Sequence, residues 1–195
     1  MYEYSGRALI FGASGGIGLA FSKFLENKLG VENVVKVSRS FDGFEISDEE
    51  SVFNFSEKIE GPFNLIINAT GVLQTTEEGP EKTINAVKKK SMSDIMTINA
   101  IGPALLLKHF CKKLDKTKFS VFVNLSARVG SITDNRLGGW ISYRSSKAAL
   151  NQIIKTSSIE INRRNKNAIC VGLHPGTVKT RFTEKFQNTT ETISP

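Results

Sequence analysis

The residues with the clearest potential for chemistry are Tyr143 and Lys147, four positions apart in a stretch with the character of a helix. Residues at this spacing lie on one helix face, one turn apart. The phenol of a free tyrosine has a pKa of about 10, and a neighbouring ammonium lowers that pKa. Such a phenol can exchange a proton with a carbonyl or alcohol oxygen near neutral pH. The same spacing also fits two exposed helical residues without a function, so the rest of the chain must decide.

A glycine-rich segment follows a short apolar run, Ala8–Phe11, near the start of the chain. The run predicts a buried strand, and the apolar spacing after the glycines predicts a helix that begins there. The unpaired amides of a first helical turn, with the helix dipole behind them, form a site for an anion such as a dinucleotide pyrophosphate. The residues of this predicted site are Gly12, Ser14, Gly15, Gly16, Ile17 and Gly18. The alternative is a joint that uses glycine only for packing.

A second apolar run, residues 34–38, ends in Ser38-Arg39. A site for an unphosphorylated ribose carries a carboxylate at the end of this strand, and Ser38 stands in its place. The guanidinium of Arg39 can hold a 2′-phosphate through two parallel hydrogen bonds. This pattern favours NADP(H) over NAD(H), although Arg39 also fits an ordinary surface position. Glu45 and Ile46, at the end of the next apolar run, are predicted to border the adenine.

The elements that must position these residues alternate between strand-like and helix-like segments along all 195 residues. Such alternation predicts a single, doubly wound α/β domain of the Rossmann type, with a parallel sheet and helices on both faces. The predicted strands cover residues 7–11, 34–38, 44–46, 63–68, 120–125 and 168–173. The predicted helices cover residues 16–29, 48–59, 91–114 and 142–163, and residues 74–90 are predicted to form an exposed loop. In such a sheet, ligands bind outside the carboxyl ends of the strands.

These features, taken in order, resemble the short-chain dehydrogenase/reductase family. The motifs that carry the resemblance are G-x-x-x-G-x-G from Gly12, Asn68-Ala69-Thr70-Gly71, Asn99 within Ile98–Gly102, the pair Tyr143 and Lys147, and Pro175-Gly176. Within the family, residues 125–132 and 134–140 are similar to the C-factor/sniffer-like carbonyl reductase branch.

The resemblance implies a division of labour among these residues. Tyr143 would exchange the proton and also contact the cofactor, and Lys147 would lower the pKa of Tyr143 and hold the nicotinamide ribose. Asn99 would fix a water molecule, and Ser126 would hydrogen-bond the substrate oxygen. The residues implied to line the rest of the cofactor are Asn68, Ala69, Gly71, Pro175, Gly176 and Thr177.

The chain departs from the family pattern in two places. When Gly130 is aligned with the glycine that follows the family's serine, the serine position falls on Ala127, and Ser131 is a second candidate beside Ser126. Residues 177–195 form a polar tail without a strand-like run, so the family's C-terminal strand is predicted to be missing. The strand at 168–173 would then be an exposed edge of the sheet.

Composition sets the remaining expectations. The formal charge of +7 favours an anionic partner such as a phosphorylated cofactor, while scattered rather than striped basic residues argue against nucleic acid. We expect no membrane span and no metal site, because no run is apolar enough and no ligand spacing fits. Cys111 and Cys170, far apart in sequence, indicate a reducing compartment, the cytoplasm. The resemblance also implies a homodimer or homotetramer through the helices predicted at 91–114 and 142–163.

The sequence therefore predicts an NADP(H)-dependent oxidoreductase that acts on a small-molecule carbonyl or alcohol. The alternative is a nucleotide-binding regulatory or signalling protein of the same fold with weak or no catalysis. The displaced serine and the missing strand favour this alternative. Tyr143, Lys147 and Asn99 favour the enzyme, because a protein that only binds a nucleotide needs no tuned phenol.

Overall fold

A five-stranded, all-parallel sheet forms the centre of the molecule. The structure is a computed structural model that describes residues 6–75, 79–180, 182–183 and 193–194. The strands are β1 (Ala8–Phe11), β2 (Val34–Val37), β3 (Leu65–Asn68), β4 (Ser120–Leu125) and β5 (Ala168–Leu173). Their order across the sheet is β2-β1-β3-β4-β5, so the direction of winding reverses between β1 and β3. Register brings the carboxyl ends together, because Phe11 pairs with both Val37 and Asn68.

Helices connect the strands. They are α1 (Gly16–Leu29), α2 (Arg39–Asp42), α3 (Glu49–Lys58), α4 (Lys89–Met96), α5 (Gly102–Phe110) and α6 (Ile141–Arg164). A π-helical turn, Thr97–Ile101, joins α4 directly to α5. The start of α3 is capped by Asp48, whose Oδ1 accepts a hydrogen bond of 3.0 Å from the Glu50 amide.

The core has two layers, one on each face of the sheet. Leu9 and Phe11 pack into a cluster with residues of α3, α5 and α6, whereas Ala8 and Ile10 face the cluster that contains Leu25 of α1. This alternation follows from the two-residue period of a strand. The predicted fold class, a doubly wound α/β sheet with helices on both faces, is confirmed.

Three local predictions need correction. Residues 44–46 are not a strand; the side chains of Phe44 and Ile46 are buried, but the backbone follows α2 as a loop. These apolar residues are buried because they pack into the core, and they take no part in strand pairing. The region 74–90 is not wholly exposed, because Glu81 is buried, and α4 begins at Lys89.

The third correction concerns the C-terminal residues. Val178 is buried and forms a parallel β-bridge with Ile193, so the part of 177–195 that the structure describes is not a free polar tail. Among the described residues, β5 is the last strand in the order, which confirms the prediction that the strand at 168–173 lies at the sheet edge. None of the helices in the described ranges is long and apolar enough to cross a membrane.

Candidate active site

The turn between β1 and α1 depends on glycine at two positions. Gly12 has φ +76, and a Cβ built on it would lie 2.9 Å from the backbone carbonyl of Ala69. A Cβ on Gly18 would lie 2.2 Å from the carbonyl oxygen of Gly12. Neither contact leaves space for a side chain, so α1 can start close to the sheet only with these glycines. The turn therefore presents the beginning of α1 at the point where the winding of the sheet reverses.

The N-terminus of α1 faces outward with its amides available. Ser14, Gly15 and Gly16 are exposed, and the cap residue Gly15 has no side chain to satisfy the first-turn amides. Uncapped amides at the positive end of a helix suit an anionic group. The geometry of the turn thus fits the predicted pyrophosphate position.

One residue at this turn was missed by sequence reasoning. A Cβ on Gly16 would lie 2.4 Å from Cγ2 of Thr180, so Thr180 lies directly against the glycine turn. Thr180 sits well beyond β5 in the chain, and no spacing rule connects it with residue 16. Its position places the segment after β5 beside the predicted phosphates.

The nucleotide end of the site lies after β2. Ser38 is buried and caps α2, since its Oγ accepts a hydrogen bond of 3.2 Å from the Phe41 amide. The Arg39 side chain is 84% exposed and lies 3.9 Å from the Glu45 carboxylate, Nη1 to Oε2. This guanidinium is free to bind a 2′-phosphate with little rearrangement.

The two residues predicted to border the adenine occupy different surroundings. Glu45 is close to Arg39, and its Oε1 accepts a hydrogen bond of 2.7 Å from the Ser47 hydroxyl. Ile46 is buried against the start of α5, where a Cβ on Gly102 would lie 2.6 Å from its Cγ1. The side chain of Ile46 thus belongs to the core, which leaves only its backbone for a ligand.

The loop after β3 brings the middle of the site together. Asn68 donates to Asn124 Oδ1 at 3.0 Å, and its own Oδ1 accepts from the Thr70 amide at 3.1 Å. These bonds fix the turn that delivers Gly71. A Cβ on Gly71 would lie 3.3 Å from Asn99 Oδ1 and 3.6 Å from Lys147 Nζ. Three of the predicted site residues therefore meet at one place.

Asn99 joins this loop to α6 by hydrogen bonds. Its Oδ1 accepts from the Val72 amide at 2.8 Å, and its Nδ2 donates to the Val72 carbonyl at 2.7 Å and to Ser146 Oγ at 3.1 Å. Ser146 Oγ in turn donates to the Tyr143 carbonyl at 2.8 Å. The side chain of Asn99 thus connects the loop after β3 with the first turn of α6. Ser146, which sequence reasoning missed, could be found from its position one turn after Tyr143.

Tyr143 and Lys147 are adjacent on α6, as their spacing predicts, but both are buried rather than exposed. Lys147 Nζ lies 5.8 Å from the centre of the Tyr143 ring and donates to the Leu125 carbonyl at 2.9 Å. Burial raises the pKa of Tyr143 to about 12 and lowers the pKa of Lys147 to about 8. Desolvation dominates the pKa of the phenol in this geometry, and the lowering effect of the ammonium stays a prediction.

Two aromatic rings flank Tyr143. The ring of Trp140 lies 6.3 Å away and that of Phe182 lies 6.0 Å away, measured between centroids. Phe182 was missed by sequence reasoning because it lies in the segment interpreted as a polar tail. The rings give the space around the phenol an apolar wall.

The segment after β5 is tied in place beside this wall. Gly176 has φ +79, and the Thr177 carbonyl accepts a hydrogen bond of 3.0 Å from the Ile193 amide. The Lys179 amide donates to the Ile193 carbonyl at 2.9 Å. Pro175, Gly176 and Thr177 therefore lead from the end of β5 to Thr180 at the glycine turn.

The serine candidates precede α6 in the chain, and Ser126 contacts a later turn of that helix than the one that carries Tyr143. Ser126 Oγ donates to Asn151 Oδ1 at 2.6 Å, and Asn151 follows Tyr143 by two helical turns, about 12 Å along the axis. Ser126, Ala127, Ser131 and His174 contribute to the lining of a shallow cleft of about 230 Å³ there. The structure thus gives the Ser126 hydroxyl a partner away from the turn of Tyr143, and the role of this serine stays a prediction.

The chain matches a known protein family and a characterised relative. Residues 31–191 match the family model of the short chain dehydrogenases. The chain is 32% identical to C-signal of Myxococcus xanthus over 120 residues, which cover 62% of this chain and 68% of that protein. These matches agree with the resemblance found in the sequence.

Solved structures of the same fold include carbonyl reductases. The NADPH-bound carbonyl reductase from chicken fatty liver matches with a TM-score of 0.76 and 26% identity, over 97% of this chain and 82% of that one. The carbonyl reductase Sniffer of D. melanogaster matches with a TM-score of 0.70 and 22% identity, over 91% of this chain and 83% of that one. The latter similarity is evidence for the fold alone.

Proposed function

The chain belongs to the short-chain dehydrogenase family, and from this premise we propose that it is an NADP(H)-dependent oxidoreductase that interconverts a carbonyl and an alcohol. The observation that carries the proposal is the position of Tyr143. Its buried phenol lies beside Lys147, which in turn lies beside Gly71 and Asn99 at the carboxyl edge of the sheet. That edge also holds the glycine turn and Arg39.

The residues present fit a dinucleotide. The amides of Ser14, Gly16 and Ile17, with Thr180 beside them, would hold the pyrophosphate, and Arg39 would hold a 2′-phosphate. Ala69 and Gly71 would border the central part, Lys147 would hold the nicotinamide ribose, and Pro175, Gly176 and Thr177 would border the nicotinamide. When bound, the nicotinamide supplies or accepts the hydride.

Tyr143 would manage the proton in this reaction. With a pKa of about 12, the phenol stays protonated through the neutral range and is available as a donor to a substrate alkoxide. Lys147, with a pKa of about 8, is mainly an ammonium at neutral pH and would stabilise the phenolate that remains. Return of the proton restores the phenol for the next turnover.

The substrate class follows from the wall around the phenol. Trp140 and Phe182 place apolar rings beside Tyr143. Such a wall favours a carbonyl attached to an apolar group over one attached to a charged group. The match to a solved carbonyl reductase at 26% identity supports a carbonyl as the reacting group.

Cofactor preference is tested by titrating the purified protein with NADPH and with NADH while following nicotinamide fluorescence. We expect tighter binding of NADPH, and we expect Arg39→Ala to remove most of the difference because the guanidinium would contact only the 2′-phosphate. Lys36→Ala, a change of an exposed cation on the preceding strand β2, is the control. Equal affinity for the two cofactors would contradict the assignment of Arg39.

Catalysis is tested by turnover of an apolar aldehyde or ketone with NADPH. Tyr143→Phe should reduce kcat by a factor of at least about 100, while the dissociation constant for NADPH stays within about twofold, because the nucleotide contacts lie elsewhere. Unchanged turnover in this variant would remove Tyr143 from the mechanism. The same assay on Ser126→Ala and Ser131→Ala decides which serine, if either, contacts the substrate oxygen.

One observation favours the second candidate function, a nucleotide-binding regulatory protein. The Ser126 hydroxyl is engaged by Asn151, and Ala127 occupies the family's serine position in the alignment through Gly130. A protein of this kind would bind NADPH tightly yet show no turnover with any of a panel of apolar carbonyls. Measurable wild-type turnover that Tyr143→Phe removes would exclude it.

We also propose self-association through the outer faces of α5 and α6. Ile101 and Ile159 are large apolar residues that are about half exposed on the π-helical turn and on α6. Light scattering coupled to gel filtration gives the mass directly, and an Ile159→Asp variant should shift it towards the monomer.

A further inference from the structure

A buried acidic side chain lies outside the residues described so far. Glu81 belongs to the irregular segment between β3 and α4, yet only 8% of it is exposed. A carboxylate with so little exposure needs hydrogen-bond donors to balance the loss of water. All of its donors in the described part of the chain come from the start of α6.

Glu81 holds the start of α6 by both backbone and side chain. Its carbonyl accepts a hydrogen bond of 2.5 Å from the Trp140 amide. Its carboxylate accepts from the Ser142 amide at 3.4 Å and from the Ser142 hydroxyl. Ser142 is fully buried and immediately precedes Tyr143. Glu81, 61 positions before Ser142, is thus hydrogen-bonded to two of the three residues that precede Tyr143.

This end of α6 needs such support. Trp140 has φ +52, and the two residues before it, Gly138 and Gly139, have φ +65 and +64. For a bulky residue such as tryptophan, a positive φ persists only when neighbouring groups hold it. The first turn, Ile141 to Arg144, contains no acidic residue, and Trp140 provides no side-chain cap. The carboxylate of Glu81 supplies the missing acceptor and a negative charge at the positive end of the helix.

We propose that Glu81 is a positioning residue that caps α6 from outside and thereby sets the position of Tyr143 and Trp140 for the reaction. This inference rests on the proposed function for its catalytic part. Glu81 contacts neither the phenol nor Lys147 in the structure, so its effect would pass through Ser142 and Trp140. Loss of the cap would let the first turn of α6 shift, and a displacement of about 1 Å at a reacting group can cost about a hundredfold in rate.

The first test is Glu81→Gln. The amide can keep one acceptor for the Ser142 hydroxyl, but its NH₂ group then faces the Ser142 amide, which is also a donor. We expect kcat to fall by roughly 10- to 100-fold. The KM and dissociation constant for NADPH should stay within about twofold, because the described hydrogen bonds of Glu81 go to the start of α6 and not to the glycine turn. Glu160→Gln changes an exposed carboxylate of α6 itself; it is the matched control and should leave kcat unchanged.

Tryptophan fluorescence tests the contact between Glu81 and the start of α6 independently of enzyme activity. Trp140 is the single tryptophan of the chain, so its fluorescence reports on this turn alone. The emission maximum and quenching by iodide should change in Glu81→Gln and not in Glu160→Gln. If the wild-type protein shows no turnover, the proposed function fails, and this signal still decides whether Glu81 holds Trp140.

A second pair of variants covers the case in which Glu81→Gln does not fold. Ser142→Ala removes only the hydroxyl contact and should lower kcat by a smaller factor, whereas Glu81→Asp, which keeps the charge, should restore part of the rate. A parallel loss of kcat, NADPH affinity and unfolding free energy would reduce Glu81 to a structural residue and overturn the inference. A kcat within about twofold of wild type in Glu81→Gln would overturn it as well.

Discussion

At the scale of single residues, the site combines two buried groups whose charges are costly. Tyr143 and Lys147 are 7% and 4% exposed, and burial moves their pKa values in opposite directions. The ammonium keeps one hydrogen bond in the described structure, to the Leu125 carbonyl. A buried lysine of this kind destabilises the fold, which is typical of functional sites, and under the proposed function its ammonium would stabilise the phenolate of Tyr143. The cost of burying the Lys147 ammonium can be recognised by its dependence on pH.

The stability cost of Lys147 should appear as a pH-dependent difference between wild type and Lys147→Met. Burial lowers the folded-state pKa from 10.5 to about 8, so the folded protein binds fewer protons than the unfolded chain between these values. The wild type should therefore gain stability relative to the variant as pH rises, by roughly 2 to 3 kcal/mol between about pH 7 and about pH 10.

Urea unfolding at the two pH values measures this difference. The exposed Lys155 on the same helix provides the control, because Lys155→Met removes an ammonium that stays hydrated in both states. A difference between wild type and Lys147→Met that does not change with pH would show that Lys147 stays as easily protonated as a free lysine.

At the scale of elements, the site is set by two joints rather than by whole helices. The glycine turn fixes how closely α1 approaches the sheet, and the π-helical turn between α4 and α5 places Asn99 against Val72 and Ser146. An extra residue per turn is often found where a helix supplies a functional side chain. The two joints meet at Gly71 and Ala69, so a change at either one should reach the cofactor site.

Adding a single methyl group at Gly18 should disrupt the packing between β1 and α1. In Gly18→Ala, the new Cβ would lie 2.2 Å from the Gly12 carbonyl oxygen, which is backbone and cannot rotate away. We expect a loss of about 1 to 3 kcal/mol of unfolding free energy and weaker NADPH binding than in the wild type.

Gly172→Ala in β5 is a matched substitution for stability. Its Cβ would lie 3.3 Å from the flexible end of Ile154, so denaturant unfolding should show a smaller loss than Gly18→Ala. Equal stability of Gly18→Ala and the wild type would mean that α1 can move away from the sheet at little cost.

At the scale of the whole molecule, the two faces of the sheet are covered unequally in the described part of the chain. One face packs against α3, α5 and α6, and the other packs against α1. Ile169, Val171 and Leu173 of the edge strand β5 are 36–40% exposed. An apolar strand at a sheet edge is prone to pair with another chain, so this edge should limit how concentrated the protein can be kept.

A charge on this edge should oppose such pairing. Val171→Lys is expected to lower light scattering at high protein concentration or on mild heating, because a lysine on an edge strand disfavours strand addition. Ile84→Lys, which changes an apolar residue of 71% exposure away from the sheet, tests whether added charge alone is responsible. The same reduction in both variants would remove the edge of β5 as the cause.

The sequence by itself determined the features that depend on near neighbours in the chain. The apolar runs and their spacing defined four of the six predicted strands closely and a fifth, 63–68, over its last four residues. The i,i+4 spacing placed Tyr143 beside Lys147. These relations follow from the fixed periods of helices and strands. The error at 44–46 has the same origin, because apolar residues in a buried loop look like a short strand.

Only the tertiary structure decided the contacts between segments that are far apart in the chain. The bond of Glu81 with Ser142, the approach of Thr180 to Gly16 and the bond of Ser126 with Asn151 join residues separated by 25 to 164 positions. Burial, which set the pKa values of Tyr143 and Lys147, likewise depends on how all layers pack. Neither property has a period in the sequence, because both arise from the packing of elements whose order in space differs from their order in the chain.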